Sequence, residues 1–462
     1  MLNRNKTSLR LAIAWKWILL LLFFTFDFLQ VLLISMTRLE PESSLWGTPF
    51  RITFEGALDT AVFIIILTFL IRTVFLLNSV RRLFSNTAML LVYHHRRGLL
   101  VDTEKDVETQ KLFTRLSPER LVNMTLEIAK ISGVNVDRIY ISKTPVPNAF
   151  TIDTFPIPFI RRSYIVINSN VIDVLSLEEI KAVIAHEIGH ISASDSTIKL
   201  IFTGPGLYLH LAYLYIYIRI IISAARAFFE DFDIILSLQR LSFLAFTYLF
   251  VWIVSNISMF FLNRASRQSE LLADVHGAEI VGKEPYINML IKLGQRYSCI
   301  ETLYNEITWL EKLENPDLEK IDRKLLLSIV ESFPQTELDE KKARMMAPEL
   351  FLRKKLENME RYYNFSIPDP GAEKWIKKAA DELLDKRIKE LEQETRGEIV
   401  DWRESDIDQN QNLEKEEIDN FVKILKTNPD KFLFKAELLK DKKNVFMNHP
   451  NFKDRILNIY EY

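Results

Sequence analysis

The sequence of 462 residues predicts a mainly α-helical membrane protein with a small β-sheet. Four apolar stretches are each long enough to cross a bilayer, which takes about 20 residues. They cover residues 11–36, 57–77, 200–223 and 241–262. Between the second and third stretches, apolar residues at helical spacing after Ser176 predict a buried helix, and the β-branched run 163–168 predicts a strand.

Basic residues around the first two apolar stretches predict the orientation in the membrane. They are Arg4, Lys6 and Arg10 before the first stretch and Arg81, Arg82, Arg96 and Arg97 after the second. The positive-inside rule places both flanks, and the helix after Ser176, in the cytoplasm. The first stretch is too long for a cleavable signal peptide, so we expect an anchor. The third and fourth stretches could instead be buried helices of a soluble domain.

Two charged residues lie inside the first stretch. Lys16 is near the end of the stretch, where its side chain is expected to snorkel to the membrane surface, whereas Asp27 lies deeper and needs a polar partner.

Composition limits the partners and the metal ligands. With 59 basic and 61 acidic residues, the net charge of −2 gives no electrostatic reason to propose nucleic acid as a partner. The single cysteine, Cys299, excludes an intramolecular disulfide and a cysteine-rich zinc site. Any metal must therefore be held by histidines and carboxylates.

The segment His186-Glu187-Ile188-Gly189-His190 has the pattern of a zinc site with its own base. Histidines four positions apart share one helix face, so both imidazoles can bind one ion. A zinc ion with three protein ligands keeps a position for water and lowers its pKa, and the adjacent Glu187 could accept the proton. Ser176 and Glu179 predict a capping box at the start of the helix, and Gly189 predicts close packing against its backbone.

A third ligand is expected on a second helix. Glu270 and Asp274 follow the fourth apolar stretch and share a helix face. Glu270 could bind zinc while Asp274 hydrogen-bonds a histidine ring or an arginine. Alternatively, such a pair lies on a solvated face.

The order of the motifs resembles that of the HtpX-like membrane zinc metalloproteases, relatives of the CAAX prenyl endopeptidases. The matching elements are Pro-Asn-Ala-Phe at 147–150, HEIGH at 186–190, two apolar stretches, SRQSELLAD at 266–274, and His-Pro followed by Arg-Ile at 449–456. The resemblance implies a gluzincin-type peptidase domain combined with about four transmembrane helices.

The resemblance also implies a role for each matching residue. Zinc would be held by His186, His190 and Glu270, with Glu187 as general base and acid. His449 would approach the oxyanion side of the site, and Arg455 would pair with Asp274. A His-Pro pair near the end of a chain is otherwise an ordinary turn.

The implied activity is that of an integral membrane zinc endopeptidase, multi-pass in the cell membrane, which cleaves membrane or misfolded proteins at the cytoplasmic face. Extended or unfolded substrates would pair with an edge strand beside the zinc helix. The strand at 163–168 could be that edge strand or an inner one. Two alternatives stay open: a non-catalytic membrane scaffold with a structural zinc site, and a CAAX-type prenyl-protein endopeptidase, which would need more membrane helices.

These motifs divide the chain into six parts. We expect two transmembrane helices in 1–83, the first part of the peptidase domain in 84–198, a transmembrane hairpin in 199–262, the third-ligand helix in 263–300, a charged helical insertion in 301–445, and a C-terminal element in 446–462 that returns to the peptidase domain.

The insertion contains a candidate calcium loop. Asp406, Asp408, Asn410, Glu414 and Glu417 occupy loop positions 1, 3, 5, 9 and 12. However, Gln411 stands at position 6, where a glycine is usual, and the sequence shows no partner loop. An acidic connecting turn is therefore the preferred interpretation, with Ca²⁺ binding as the alternative.

Overall fold

The computed structural model describes residues 2–39, 50–52, 55–85, 89–100, 115–154, 161–196, 198, 205–230, 232–317, 321–363, 369–391, 399–434 and 450–462. In this part of the chain the fold is mostly helical with a small five-stranded sheet, which confirms the predicted fold class. The helices are α1 (Leu2–Met36), α2 (Ala57–Phe84), α3 (Pro118–Ile131), α4 (Ser169–Val174), α5 (Leu177–Ser192), α6 (Pro205–Phe229), α7 (Ile234–Val281), α8 (Lys283–Glu314), α9 (Arg323–Ser332), α10 (Glu340–Tyr363), α11 (Asp369–Leu391), α12 (Lys415–Thr427) and α13 (Phe452–Glu461). The strands are β1 (Thr37–Leu39), β2 (Phe50–Ile52), β3 (Met89–His94), β4 (Gly98–Leu99), β5 (Arg138–Ser142), β6 (Ala149–Asp153) and β7 (Ser163–Asn168).

Among the described residues, four helices are long and apolar enough to cross a membrane, as the sequence predicts. These spans are Leu9–Met36 in α1, α2, Tyr208–Phe229 in α6, and α7. α7 packs against both α1 and α6. Asp27 finds its polar partner in this bundle, since its carboxylate accepts a hydrogen bond of 2.7 Å from Ser258 of α7.

α7 runs without a break for 48 residues, from the apolar stretch through Glu270 and Asp274. The boundary expected at 262 therefore lies inside a helix. The segment that carries Glu270 therefore continues an apolar span within one helix, with no loop between them.

The sheet has the strand order β4-β3-β5-β7-β6. β5 and β7 are parallel, and the other pairs are antiparallel. Every residue of β7 is buried. Its run Ile165-Val166-Ile167 is apolar toward both faces, as is usual for a strand buried on both sides. Ser163–Asn168 is thus an inner strand, and its neighbour Ala149–Asp153 is one of the two edge strands of this sheet.

The main core lies between the sheet and helices α3, α5, α8 and α13. Residues 399–434, which we had expected to belong to the insertion, also pack into this core through Trp402, Phe421 and Phe434. Phe434 lies directly on Gly294 of α8, where a Cβ atom would come within 2.0 Å of its ring. This segment is therefore part of the same body as the sheet.

A second core joins the C-terminal half of α8 to helices α9, α10 and α11. Its fully buried members include Leu303, Ile307 and Ile329. Arg296 lies where the two cores meet, completely buried, and donates hydrogen bonds to Asn170 Oδ1 and to the carbonyl oxygen of Pro334. The predicted insertion thus consists of a helical unit with its own core and a return segment that belongs to the main core.

Candidate metal centre

α5 begins with the predicted capping box. The Ser176 hydroxyl accepts a hydrogen bond from the backbone N–H of Glu179, and the Glu179 carboxylate accepts one of 2.8 Å from the backbone N–H of Ser176. These two bonds satisfy groups that every helix start leaves unpaired. The cap therefore fixes the residue at which the helix begins. Because the helix is regular, it also fixes the direction in which the two histidines point.

His186 and His190 face each other one turn apart on α5, with 3.2 Å between their Nε2 atoms. Glu270 of α7 lies opposite. Its Oε2 is 3.6 Å from Nε2 of His186, and its Oε1 is 3.7 Å from Nε2 of His190. The three residues therefore form one half-buried cluster with the donor set His, His, Glu.

The geometry of this cluster fits zinc. Tetrahedral zinc with bonds of about 2.0–2.1 Å holds its ligand atoms roughly 3.3 Å apart. The separations of 3.2, 3.6 and 3.7 Å are close to that value. Three protein ligands also leave one position open, which is typical of catalytic rather than structural zinc sites.

The other ring nitrogen of His186 is held by buried polar groups. Its Nδ1 lies 2.9 Å from the hydroxyl of Tyr286 and 3.0 Å from Asp274 Oδ1. Tyr286 in turn donates to Asp274 at 2.9 Å. These contacts orient the ring so that Nε2 faces His190 and Glu270, as the outer partners of metal-binding histidines usually do.

Asp274 is completely buried, and Arg455 of α13 neutralises it. The guanidinium donates from Nε at 2.8 Å and from Nη2 at 2.6 Å, which is a bidentate pair. Burial alone would raise the pKa of Asp274, but the charge of Arg455 and the contact with His186 hold that pKa well below its usual range. Asp274 thus stays ionised behind the histidine.

His190 is held by a residue that we did not single out in the sequence. Its Nδ1 lies 2.8 Å from Oδ2 of Asp195, just beyond the end of α5. The other oxygen of Asp195 forms a salt bridge with Lys16 of α1. Lys16 is only 4% exposed, so its ammonium group is paired with Asp195 inside the protein. A carboxylate five positions after the second histidine was the signal that could have revealed this contact.

Gly189 lies where α5 and α7 cross. A Cβ atom there would lie 3.2 Å from Cα of Ala273 and 3.2 Å from a ring carbon of His276. Such contacts are tighter than ordinary side-chain packing. The glycine therefore lets α7 approach closely enough for Glu270 to reach the two histidines, which is the close packing that the sequence predicts.

Glu187 lies beside the three candidate ligands His186, His190 and Glu270, in a cavity of about 630 Å³. Burial raises the pKa of its carboxyl above the ordinary value, and the two neighbouring histidines partly offset this. Tyr297, which the sequence analysis missed, lines the same cavity. Burial raises the pKa of Tyr297 to about 12, so its hydroxyl stays protonated and can donate a hydrogen bond.

The edge strand β6 forms one wall of this cavity. Ala149, Phe150 and Thr151 line it, next to α5. No described strand pairs with the outer edge of β6. Its backbone N–H and C=O groups can therefore receive an extended peptide as an additional strand.

Two other sets of predicted residues lie elsewhere. His449 is outside the described residues, although Pro450 and Asn451 line the cavity. The candidate calcium loop lies away from the cavity. There the structure brings together the carboxylates of Asp406, Asp408 and Glu417. Glu414 is the N-cap residue of α12, and its backbone N–H donates a hydrogen bond of 2.9 Å to Oε2 of Glu417.

Comparison with known proteins identifies the family. The model of peptidase family M48 matches residues 116–462, which is most of the chain. The chain therefore belongs to peptidase family M48, and it is similar in sequence to members of that family that bear the name HtpX.

Several relatives bear the name HtpX. The chain is 35% identical over 79 residues to a protease HtpX homolog of Persephonella marina, covering 17% of this chain and 26% of that protein. It is 31% identical over 159 residues to protease HtpX homolog 2 of Sulfurisphaera tokodaii, covering 34% and 44%. It is 26% identical over 187 residues to protease HtpX of Idiomarina loihiensis, covering 39% and 58%. The chain thus spans only part of each relative's length, and no solved structure matches it.

Proposed function

We propose that this protein is an integral membrane zinc endopeptidase that hydrolyses extended or unfolded segments of membrane or misfolded proteins at the cytoplasmic face of the cell membrane. The observation that carries the proposal is the convergence of three features in one cavity. These are the ligand atoms of His186, His190 and Glu270, the carboxylate of Glu187, and the edge of β6 that pairs with no described strand.

The proposed chemistry divides between the ion and the side chains. Zinc held by the three ligands would polarise the scissile carbonyl and lower the pKa of a water molecule. Glu187 takes the proton from the attacking water and then donates it to the leaving amine, so it serves as base and acid in turn. Its raised pKa suits both tasks, because the carboxyl can hold the proton between them. The hydroxyl of Tyr297 is positioned to donate a hydrogen bond within the same cavity.

The proposed substrate class follows from the edge strand. Pairing of a substrate with β6 through backbone groups would place an extended chain across the three candidate zinc ligands. Such pairing is nearly independent of side-chain identity. A folded domain cannot offer such a segment. We therefore expect unfolded stretches, including those of damaged membrane proteins, to be cleaved in preference to compact domains.

Hydrolysis of casein, an unfolded protein, by the detergent-purified, zinc-loaded full chain tests the proposal. We expect casein to be cleaved while a stably folded protein of similar size stays intact. A zinc chelator should stop cleavage, and added zinc should restore it. Casein left intact by a chain that carries stoichiometric zinc would contradict the proposal, as would cleavage that persists after zinc has been removed.

A further inference from the structure

The loop before α12 contains a buried carboxylate oxygen without a partner. Asp406 is only 7% exposed. Its Oδ2 accepts a hydrogen bond of 3.0 Å from the backbone N–H of Gln411, but its Oδ1 is buried and accepts none from any described residue. An unsatisfied buried carboxylate oxygen is costly, which indicates that something else binds it.

Two further carboxylates share this place. Oxygens of Asp406, Asp408 and Glu417 lie within 4.8 Å of one another, and Asp408 is open to solvent. No lysine or arginine in the described part of the chain forms an ion pair with any of the three. Burial raises the pKa of Asp406, and the neighbouring acidic groups raise it further. A raised pKa is the expected response of a carboxyl group that lacks a compensating cation, and a bound cation would lower it again.

The loop is held in shape by contacts outside the carboxylate cluster. Asn288 of α8 uses its side-chain amide on both backbone groups of Leu413: Oδ1 accepts from the N–H at 2.7 Å, and Nδ2 donates to the carbonyl oxygen at 2.9 Å. An amide side chain thus makes the pair of backbone bonds that a neighbouring strand would make. Asn288 therefore makes, at Leu413, the two hydrogen bonds that a paired calcium loop would otherwise make.

The same loop is connected to the start of α5. Lys292 of α8 donates to Oδ1 of Asn412 in the loop and to Oε1 of Glu179, both at 2.7 Å. Glu179 is the capping residue of α5. Any ion that stabilises the loop therefore stabilises a structure that is bonded to the helix carrying the histidines.

We propose that residues 406–417 bind one Ca²⁺ ion through the carboxylates of Asp406, Asp408 and Glu417. All the ligands are oxygen atoms, which Ca²⁺ prefers, and they stand at positions 1, 3 and 12 of a twelve-residue loop. At position 6, Gln411 adopts φ 63°, so the backbone makes there the turn for which a glycine is usual. This strain and the absence of a paired loop predict an affinity in the weak part of the known range, about 10⁻⁵ to 10⁻³ M.

Calcium titration calorimetry on the zinc-loaded full chain in detergent tests the site. We expect one calcium ion per chain and a rise of a few degrees in Tm at saturation, because binding to the native state stabilises it. Asp408→Asn should weaken calcium binding at least tenfold, since Asp408 is an exposed ligand whose loss leaves the buried contacts in place. Glu416→Gln, which alters an exposed acidic neighbour outside the cluster, should leave the affinity unchanged.

Three results would overturn the assignment. One is the absence of binding heat up to ~5 mM calcium, above the Kd of the weakest sites of this kind. Another is a calcium affinity that Asp408→Asn does not change while zinc content shows the variant to be folded. The third is an equal rise in Tm with magnesium, which would make the site a general one for divalent ions.

Discussion

Lys16 in the first membrane helix forms a salt bridge with Asp195, and the second oxygen of Asp195 lies 2.8 Å from Nδ1 of His190. The carboxylate of Asp195 therefore connects a membrane helix to His190, one of the candidate zinc ligands. Glu270 is also carried by a helix that continues into an apolar span. Two of the three candidate zinc ligands are thus tied to the membrane part of the molecule.

Lys16→Met should weaken zinc binding. The substitution leaves Asp195 without its cation, so Asp195 holds the His190 ring less firmly. Changes to such outer partners typically cost about 10–100-fold in metal affinity or activity. Competition with a zinc-chelating dye measures the affinity. Lys181→Met, on the outer side of α5, is the matched control and should have no effect. An equal loss in both variants would argue against this connection.

Arg455→Met should destabilise the peptidase domain. It leaves Asp274 ionised and completely buried without its bidentate partner, and breaking such a buried pair costs about 3–5 kcal/mol. We expect a clearly lower Tm and weaker zinc binding, since Asp274 also contacts His186. Arg120→Met, at an exposed arginine of α3, provides the comparison. A Tm equal to that of the unmodified chain would show that Asp274 does not depend on this arginine.

A cavity made in the main core or in the core of the helical unit should destabilise that core and leave the other one intact. Ile184 and Ile329 are both completely buried, one in the main core on α5 and the other in the helical unit. Replacing either by alanine costs about 2–5 kcal/mol locally. Ile329→Ala should expose α9–α11 to limited proteolysis and leave the zinc content unchanged, whereas Ile184→Ala should reduce zinc content. Zinc loss in both variants would mean that the cores unfold together.

The proposed orientation in the membrane can be tested by labelling. In a Cys299→Ala background, Lys130→Cys adds a thiol to the exposed end of α3, and Phe232→Cys adds one to the turn between α6 and α7, where Phe232 is 83% exposed. A membrane-impermeant thiol reagent should label the Phe232→Cys variant in intact cells and the Lys130→Cys variant only after permeabilisation. The reverse pattern would place the peptidase domain outside.

Sequence reasoning succeeded where the signal is local. The two histidines of α5 and the pair Glu270 and Asp274 are each four residues apart on a single helix, so their shared face follows from helical geometry alone. The Ser176–Glu179 cap is equally local. The spacing by itself did not bring α5 and α7 together; that expectation came from the resemblance to a family.

Contacts across the fold left little trace in the sequence. Tyr286 touches His186 although 100 residues separate them, and Lys16 lies 179 residues from Asp195. Residues 399–434 were grouped with the insertion because they are rich in charge, yet Trp402 and Phe421 face the main core. The sequence did not decide whether Ser163–Asn168 is inner or edge, because a strand's place depends on its neighbours.

The central claim is most directly tested by separating zinc binding from hydrolysis. Glu187→Gln removes only the base and should keep one zinc per chain while casein hydrolysis falls by a factor of about 10² to 10⁴ or more. Glu270→Ala, in contrast, should lose both zinc and hydrolysis. Metal content and casein cleavage, measured on the same preparations, give the answer. Hydrolysis by the Glu187→Gln chain at the unmodified rate would contradict the role assigned to Glu187 and, with it, the proposed active site.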